Sequence, residues 1–273
     1  MATVLRRLSK RLRNHDWLAV LFDLAIVVGG VFLGIQAANW NAARQSEVEE
    51  RRYYAQLSDD LRTDVNTLRT AVERSRIHDR AAENVLAALD KGLPATADYG
   101  RLAIDFHKAG FLFVPQPARR SYDELISTGN LGILRNDSAK RALASYYESF
   151  ASSRQWDALL REQQSDYWRA SAGVVPRHVL RAALQGPLPP VSRAEAEAYL
   201  REARKRPEMR DMLIGMAAHQ ERVRRDSEGL AQNARKLIGQ LEPLARQAPA
   251  FSAKPHAASA SIGTRLAISA ACA

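Results

Sequence analysis

From Leu18 to Ala38 the chain runs through 21 residues with a single formal charge, Asp23, and a single amide, Gln36. A mostly apolar run of about 18 residues or more is the mark of a helix that crosses a bilayer. Trp17 and Trp40 bracket it. At about 1.5 Å per residue the two indoles stand roughly 34 Å apart, close to the ~30 Å of hydrocarbon, so both ring N–H groups reach headgroup level. A cleaved signal sequence fits less well, because its apolar core is usually only about 7–15 residues long and is followed by a small-x-small cleavage pattern, which Gln36/Ala38, Ile35/Ala37 and Asn39/Asn41 all fail to supply. The segment reads as an uncleaved signal-anchor.

Beyond it the apolar pattern turns from continuous to periodic. No Pro or Gly interrupts Trp40 to Leu89. Tyr54, Leu61, Leu68, Ser75, Ala82 and Leu89 fall seven apart, with Val65, Val72 and Leu86 four on from members of that row. Such a row makes one face of a helix that lies against another, as in a coiled coil. The transmembrane helix is therefore expected to continue as a stalk. It should end at Lys91, Gly92, Leu93 and Pro94, which supply the basic residue, glycine and proline of a helix stop. Near the other end Met209, Met216, Val223, Leu230, Leu237 and Leu244 repeat the spacing, with Leu213, Ala234 and Leu241 four on and Pro207 opening the helix. Matching rows predict that the stalk and the last long helix pack together.

Between them the signals are shorter. A helix is expected from about Asp98 to Phe111, then an extended stretch through Val114 to Pro117, since residues before proline avoid the helical region. Ser121, Tyr122, Asp123 and Glu124 read as a capping box opening a short helix that closes at Gly129. After a turn through Asn136, a helix from near Asp137 to about Ala170 would pack on Leu143, Tyr146, Tyr147, Phe150 and Trp156, with Pro176 marking its end or a kink. Gln185 to Val191 is a turn, and Ser192 with Glu195 is a second capping box, for a helix to about Arg204. Past Gln247 the chain is rich in Ala, Ser and Pro with no stripe, and reads as a disordered tail. The expected organisation is a basic cytoplasmic tail (1–16), a transmembrane helix (17–40), a helical extracytoplasmic domain (41–246) and the tail (247–273). The fold class is all-α, with the stalk packed in an antiparallel helical bundle. An apolar fraction of 46% with only 7% aromatic residues agrees, being weighted towards Ala and Leu.

The net charge of +10 raises the question of nucleic acid. Its distribution answers it: Arg6, Arg7, Lys10, Arg11 and Arg13 crowd the N-terminus, and the later arginines alternate with acids, as in Glu221, Arg222, Arg224, Arg225 and Asp226. No nucleic-acid partner is expected; the lipid bilayer is. Five Lys or Arg precede Trp17, against three, Arg44, Arg51 and Arg52, in the first dozen residues after Trp40. That bias places the N-terminus in the cytoplasm and the domain across the membrane, in the periplasm of a bacterial inner-membrane protein.

Chemistry-bearing residues are sparse. Cys272 is the only cysteine, and the six histidines include no pair three or four apart, so neither a disulfide nor a metal site is expected. Nucleophile elbows, zinc-protease motifs, phosphate loops and dinucleotide fingerprints are missing, so the chain is read as a non-enzyme without a cofactor. Two places could make contacts. Gly30, Gly34 and Ala38 form a small-residue stripe on the span that would let another helix, including that of a second copy, approach closely. The elbow from Ser121 to Asn136 brings Asn130, Arg135 and Asn136 onto a short loop where a partner could bind; alternatively it joins two helices, with Asn136 or Asp137 as cap and Arg135 solvated. Asp23 is read as an interfacial carboxylate reaching water, Arg11 or Arg13.

The segment GVFLGIQAANWNAAR, Gly30 to Arg44, resembles the start of a bacterial single-span family defined only as a domain of unknown function. SYDELISTGNLGILRND, Ser121 to Asp137, resembles that family's second recurrent block. The resemblance implies a single-pass bacterial membrane protein with a helical domain and brings no activity with it. The residues favour an interaction or scaffold protein with a membrane or envelope protein partner. The alternative is an extracytoplasmic ligand-sensing domain, which must act through a partner membrane protein because only about 16 residues lie before the span.

Overall fold

The computed structural model describes residues 17–247 apart from 97 and 189; the basic tail, nearly all of the C-terminal tail and Cys272 lie outside the described residues. Among the described residues there are helices and no strands. The helices are α1 (Trp17–Lys91), α2 (Tyr99–Lys108), α3 (Arg120–Ser127), α4 (Asp137–Ser153), α5 (Asp157–Ser171), α6 (Arg177–Gln185), α7 (Arg193–Arg204) and α8 (Glu208–Arg246). Two 3-10 turns, Asn130–Ile133 and Arg154–Trp156, lie on either side of α4.

The chain divides into two compact units, Met1–Glu49 with Gln247–Ala273, and Glu50–Arg246. In the first, the described residues are the beginning of α1 and Gln247. Leu21, Phe22, Ile26, Val27, Val31, Phe32 and Leu33 are each more than half exposed there. This is one helix long and apolar enough to cross a membrane, and its apolar stretch is uncovered by protein. Apolar surface of that extent is stable in lipid, not in water.

In the second unit α1 packs against α8, as the matching rows predict. Tyr54, Leu61, Leu68, Ser75 and Ala82 are all at most 2% exposed, and Met209, Met216, Leu230 and Leu237 are buried opposite. The helices run antiparallel: Arg62 pairs with Glu242, Arg76 with Glu228 and Asp90 with Arg210. Fourteen residues, two turns of the seven-residue repeat, separate Arg62 from Arg76 and equally Glu242 from Glu228, so the rows stay in step. These exposed pairs fix register more than they stabilise, each contributing at most about 1 kcal/mol.

The companion row on α1 differs from expectation. Val65, Val72 and Leu86, four residues on, are only half-buried, whereas Leu57, Asp64, Ala71 and Val85, three on, are buried. That side of the helix faces the segments inserted between the two long helices: Asp64 meets Ala118 and Tyr146, and His78 meets Phe111. Two further boundaries move. The helix expected from Asp137 to Ala170 is broken at Arg154–Trp156 into α4 and α5. Ser121 is no capping residue: α3 starts at Arg120, and the Ser121 N–H is taken by Asp60 Oδ2 at 2.9 Å. The second capping box is formed as expected, with Ser192 and Glu195 bonded reciprocally.

The core falls into two clusters. One gathers Tyr53, Tyr54, Leu57, Leu61 and Leu68 of α1 with α3, α4 and the end of α8. The other gathers Ala81, Ala82, Val85 and Ala88 with α2, α6, α7 and the start of α8. Gly92, at φ +80°, ends α1 by turning left-handed and returning its N–H to Ala88 O at 3.0 Å. Arg204 of α7 covers the last carbonyls, donating to Leu89 O at 2.9 Å.

Candidate functional site

The elbow and the residues just before it are tied inward by carboxylates of α1. Asp64 Oδ1 accepts the Ala118 N–H at 2.6 Å, Asp60 takes that of Ser121, and Glu50 Oε1 takes that of Arg135 at 2.7 Å. Tyr147 donates its hydroxyl to Ala118 O at 3.1 Å, and Tyr53 donates to Glu124 at 3.0 Å. Asn136 caps α4, its side chain accepting the Ala139 N–H at 3.0 Å, while its own N–H meets the Tyr54 hydroxyl. Arg135 Nε stands 3.6 Å from Glu50 Oε2. Of the three elbow candidates, Asn136 and Arg135 thus have roles within the fold, and Asn130 is exposed at the start of its 3-10 turn. Burial raises the Asp64 carboxyl to about 6, against the pull of its bonds from Ala118 and Tyr146. Burial likewise raises Tyr54 to about 12.

Gly30, Gly34 and Ala38 lie exposed on α1, with open space where a Cβ would stand on either glycine. Asp23 is exposed on the same segment.

Between the two core clusters lies a polar layer that periodicity alone did not reveal. Ser75, Gln220 and Ser227 are at most 2% exposed. Gln220 donates to Phe111 O at 2.6 Å, and the Phe111 ring lies between His78 (centroids 5.7 Å apart), His107 (4.9 Å) and Trp168 (5.4 Å). Gly110 permits the approach, since a Cβ there would collide with the Trp168 and Tyr167 rings. Ser75 Oγ, His78 Nδ1 and Gln220 Oε1 are buried here without a protein hydrogen-bond partner of their own. Burial, helped by the charges of Lys108 and Arg74, lowers the His78 imidazole below its ordinary value; burial also lowers His107.

At the end of α1 a cavity of about 460 Å³ opens against α2. Its apolar lining includes Ala87, Ala88, Leu93, Pro94 and Leu102, and its polar lining Asn84, Lys91, Asp98, Arg101 and Asp105. Asp98 is committed, capping α2 through the Arg101 N–H at 2.9 Å. Asp105 is 1% exposed; its Oδ2 accepts from Asn84 at 2.8 Å and its Oδ1 from Arg101 Nε at 3.3 Å. Burial raises this carboxyl, with Asn84 and Arg101 pulling it back. The volume falls within the roughly 300–1,000 Å³ of small-molecule sites, and a few convergent polar groups on an apolar lining are their usual chemistry. In sequence, Arg101 and Asp105 look like any surface pair four apart on a helix; nothing there signals that Asn84 closes the same site from another helix.

Among the described residues no group of three or more His, Cys, Asp or Glu is placed to hold a metal ion. Comparison of the chain with protein-family models, curated proteins and solved structures gives no match.

Proposed function

We propose that the protein is a membrane-anchored helical binding domain that takes a small molecule in the α1–α2 cavity and acts through a partner membrane protein. The supporting observation is the cavity itself, with the buried Asp105 carboxylate and the Arg101 guanidinium side by side in its lining. In this reading the apolar start of α1 is the anchor in a bacterial inner membrane, with the N-terminus cytoplasmic and the helical domain periplasmic. The partner is a membrane protein, which would meet the apolar start of α1 within the bilayer.

A scaffold role is the second reading, favoured by the open face at Gly30, Gly34 and Ala38, where a helix of a membrane or envelope protein or of a second copy would fit. Purification of the full chain from membranes, followed by mass spectrometry of small molecules and of proteins, separates the two. The binding reading expects a retained small molecule that disappears with Ala87→Trp, a substitution at an exposed position of the cavity lining. A stable protein partner with no retained small molecule would replace it with the scaffold reading.

A further inference from the structure

We propose that the cavity between α1 and α2 takes a small zwitterion with its ammonium and carboxylate close together on an apolar body, the free α-amino acid being the simplest case. This rests on the binding reading above and adds the class of ligand.

The argument begins with what the lining leaves uncommitted. A carboxylate has about four lone-pair positions. Asp105 uses two, for Asn84 and Arg101, and keeps capacity for an ammonium. Arg101 spends only Nε on Asp105, which leaves its terminal nitrogens for an incoming carboxylate in the forked geometry that guanidinium favours. Lys91 adds a second positive charge to the lining. Because Arg101 Nε and Asp105 Oδ1 stand 3.3 Å apart, opposite charges on a ligand must also be close, as they are across one carbon of an amino acid. A simple anion would meet the buried Asp105 and a simple amine would meet Arg101 and Lys91; only a molecule carrying both charges satisfies both. Ala87, Ala88, Leu93 and Leu102 then offer apolar surface to its body.

Three probes sharing one body test the class: L-leucine, isoamylamine and isocaproate, titrated calorimetrically against the full-length protein in nanodiscs. L-leucine is expected to bind at least about tenfold more tightly than either single-charge probe, a difference of about 1.4 kcal/mol. Asp105→Asn should weaken L-leucine by about tenfold or more while leaving isocaproate no weaker. Arg101→Gln should weaken L-leucine while leaving isoamylamine no weaker, and Ala87→Trp should abolish all binding. Ligand-free melting temperature and helix content report folding; should Asp105→Asn not fold, Arg101→Gln and Ala87→Trp, at exposed positions, carry the test. Equal affinity for a single-charge probe and L-leucine overturns the zwitterion assignment, as does failure of all three to bind. The cavity reading falls separately, when no small molecule is retained from membranes.

Discussion

The first half of the α1 bundle face, Tyr53 to Leu68, and the second, Ala81 to Ala88, share one helix and one seven-residue row, yet they are held in different ways. The first presents large side chains, and its carboxylates Asp60 and Asp64, with Glu50 just before it, fasten the backbone of a neighbouring segment. The second presents mostly alanines, against which α2, α6 and α7 come close, and the Asp105 carboxylate beside it is held by the side chains of Asn84 and Arg101 in the lining of a cavity. The same periodicity thus serves a tightly fastened core in one half and a recess in the other. What decides between them is side-chain volume: large residues fill the space to the next helix, while alanines let short helices approach and leave room at their ends.

Opposite volume changes give the largest test of this comparison. Leu61→Ala, at 0% exposure, should cost about 2–5 kcal/mol by leaving a hole. Ala82→Leu, also at 0% exposure, should cost about 1–3 kcal/mol by overfilling. Denaturant unfolding measures both; an Ala82→Leu protein as stable as wild type would show that the second half is loosely filled and break the comparison.

Smaller and opposite in sign are the effects of pH on Asp64 and His78, which occupy the same row of α1. Asp64 has its folded value raised to about 6 from 3.8, so its contribution to stability is full below about 4 and is lost as pH rises through 6. The two-unit span corresponds to about 3 kcal/mol at most. His78 has its folded value lowered, so its contribution is full above its ordinary value of 6.5 and is lost as pH falls through the folded one. Melting curves between pH 4 and 8 should show Asp64→Asn losing the stabilisation that wild type gains on acidification, and His78→Gln resisting acid better than wild type. Parallel curves for both variants and wild type would remove these residues from the account.

The smallest effect is expected off both cores. Arg225 has a side chain 75% exposed and a long contact to Glu221, so Arg225→Asp should change stability by no more than about 0.5 kcal/mol. A larger loss, read from the same unfolding curves, would mean that the exposed face of α8 matters as much as its buried row.

The long helices were legible because many residues repeat one signal: a row of six apolar or small positions on each specifies a face whatever the rest of the fold does. The polar layer was half-legible. Gln220 and Ser227 stand at the seven-residue spacing between Leu213 and Ala234, but a search for apolar positions passes over them. At Ser121 the local motif was present and lost to a long-range competitor, since Asp60 of α1 binds the N–H of that residue. The Asn136 cap was legible as one of two options and is realised. The cavity could not be read at all, because Asn84, Arg101 and Asp105 converge only after α2 has folded back on α1.

The pairing of α1 with α8 also has a consequence for biogenesis. Arg62 and Glu242 meet across 180 residues of chain, and the Leu57 and Leu61 surface shares a cluster with Leu237 and Leu241. The first half of the α1 bundle face therefore has no α8 to lie against until nearly the whole domain has been synthesised. At about 5–20 residues per second this leaves an apolar stripe uncovered for roughly 10–40 s, long enough for aggregation to compete with folding. Contacts so distant in sequence close slowly, so the stripe that makes the finished bundle stable makes the nascent chain dependent on being shielded while it waits.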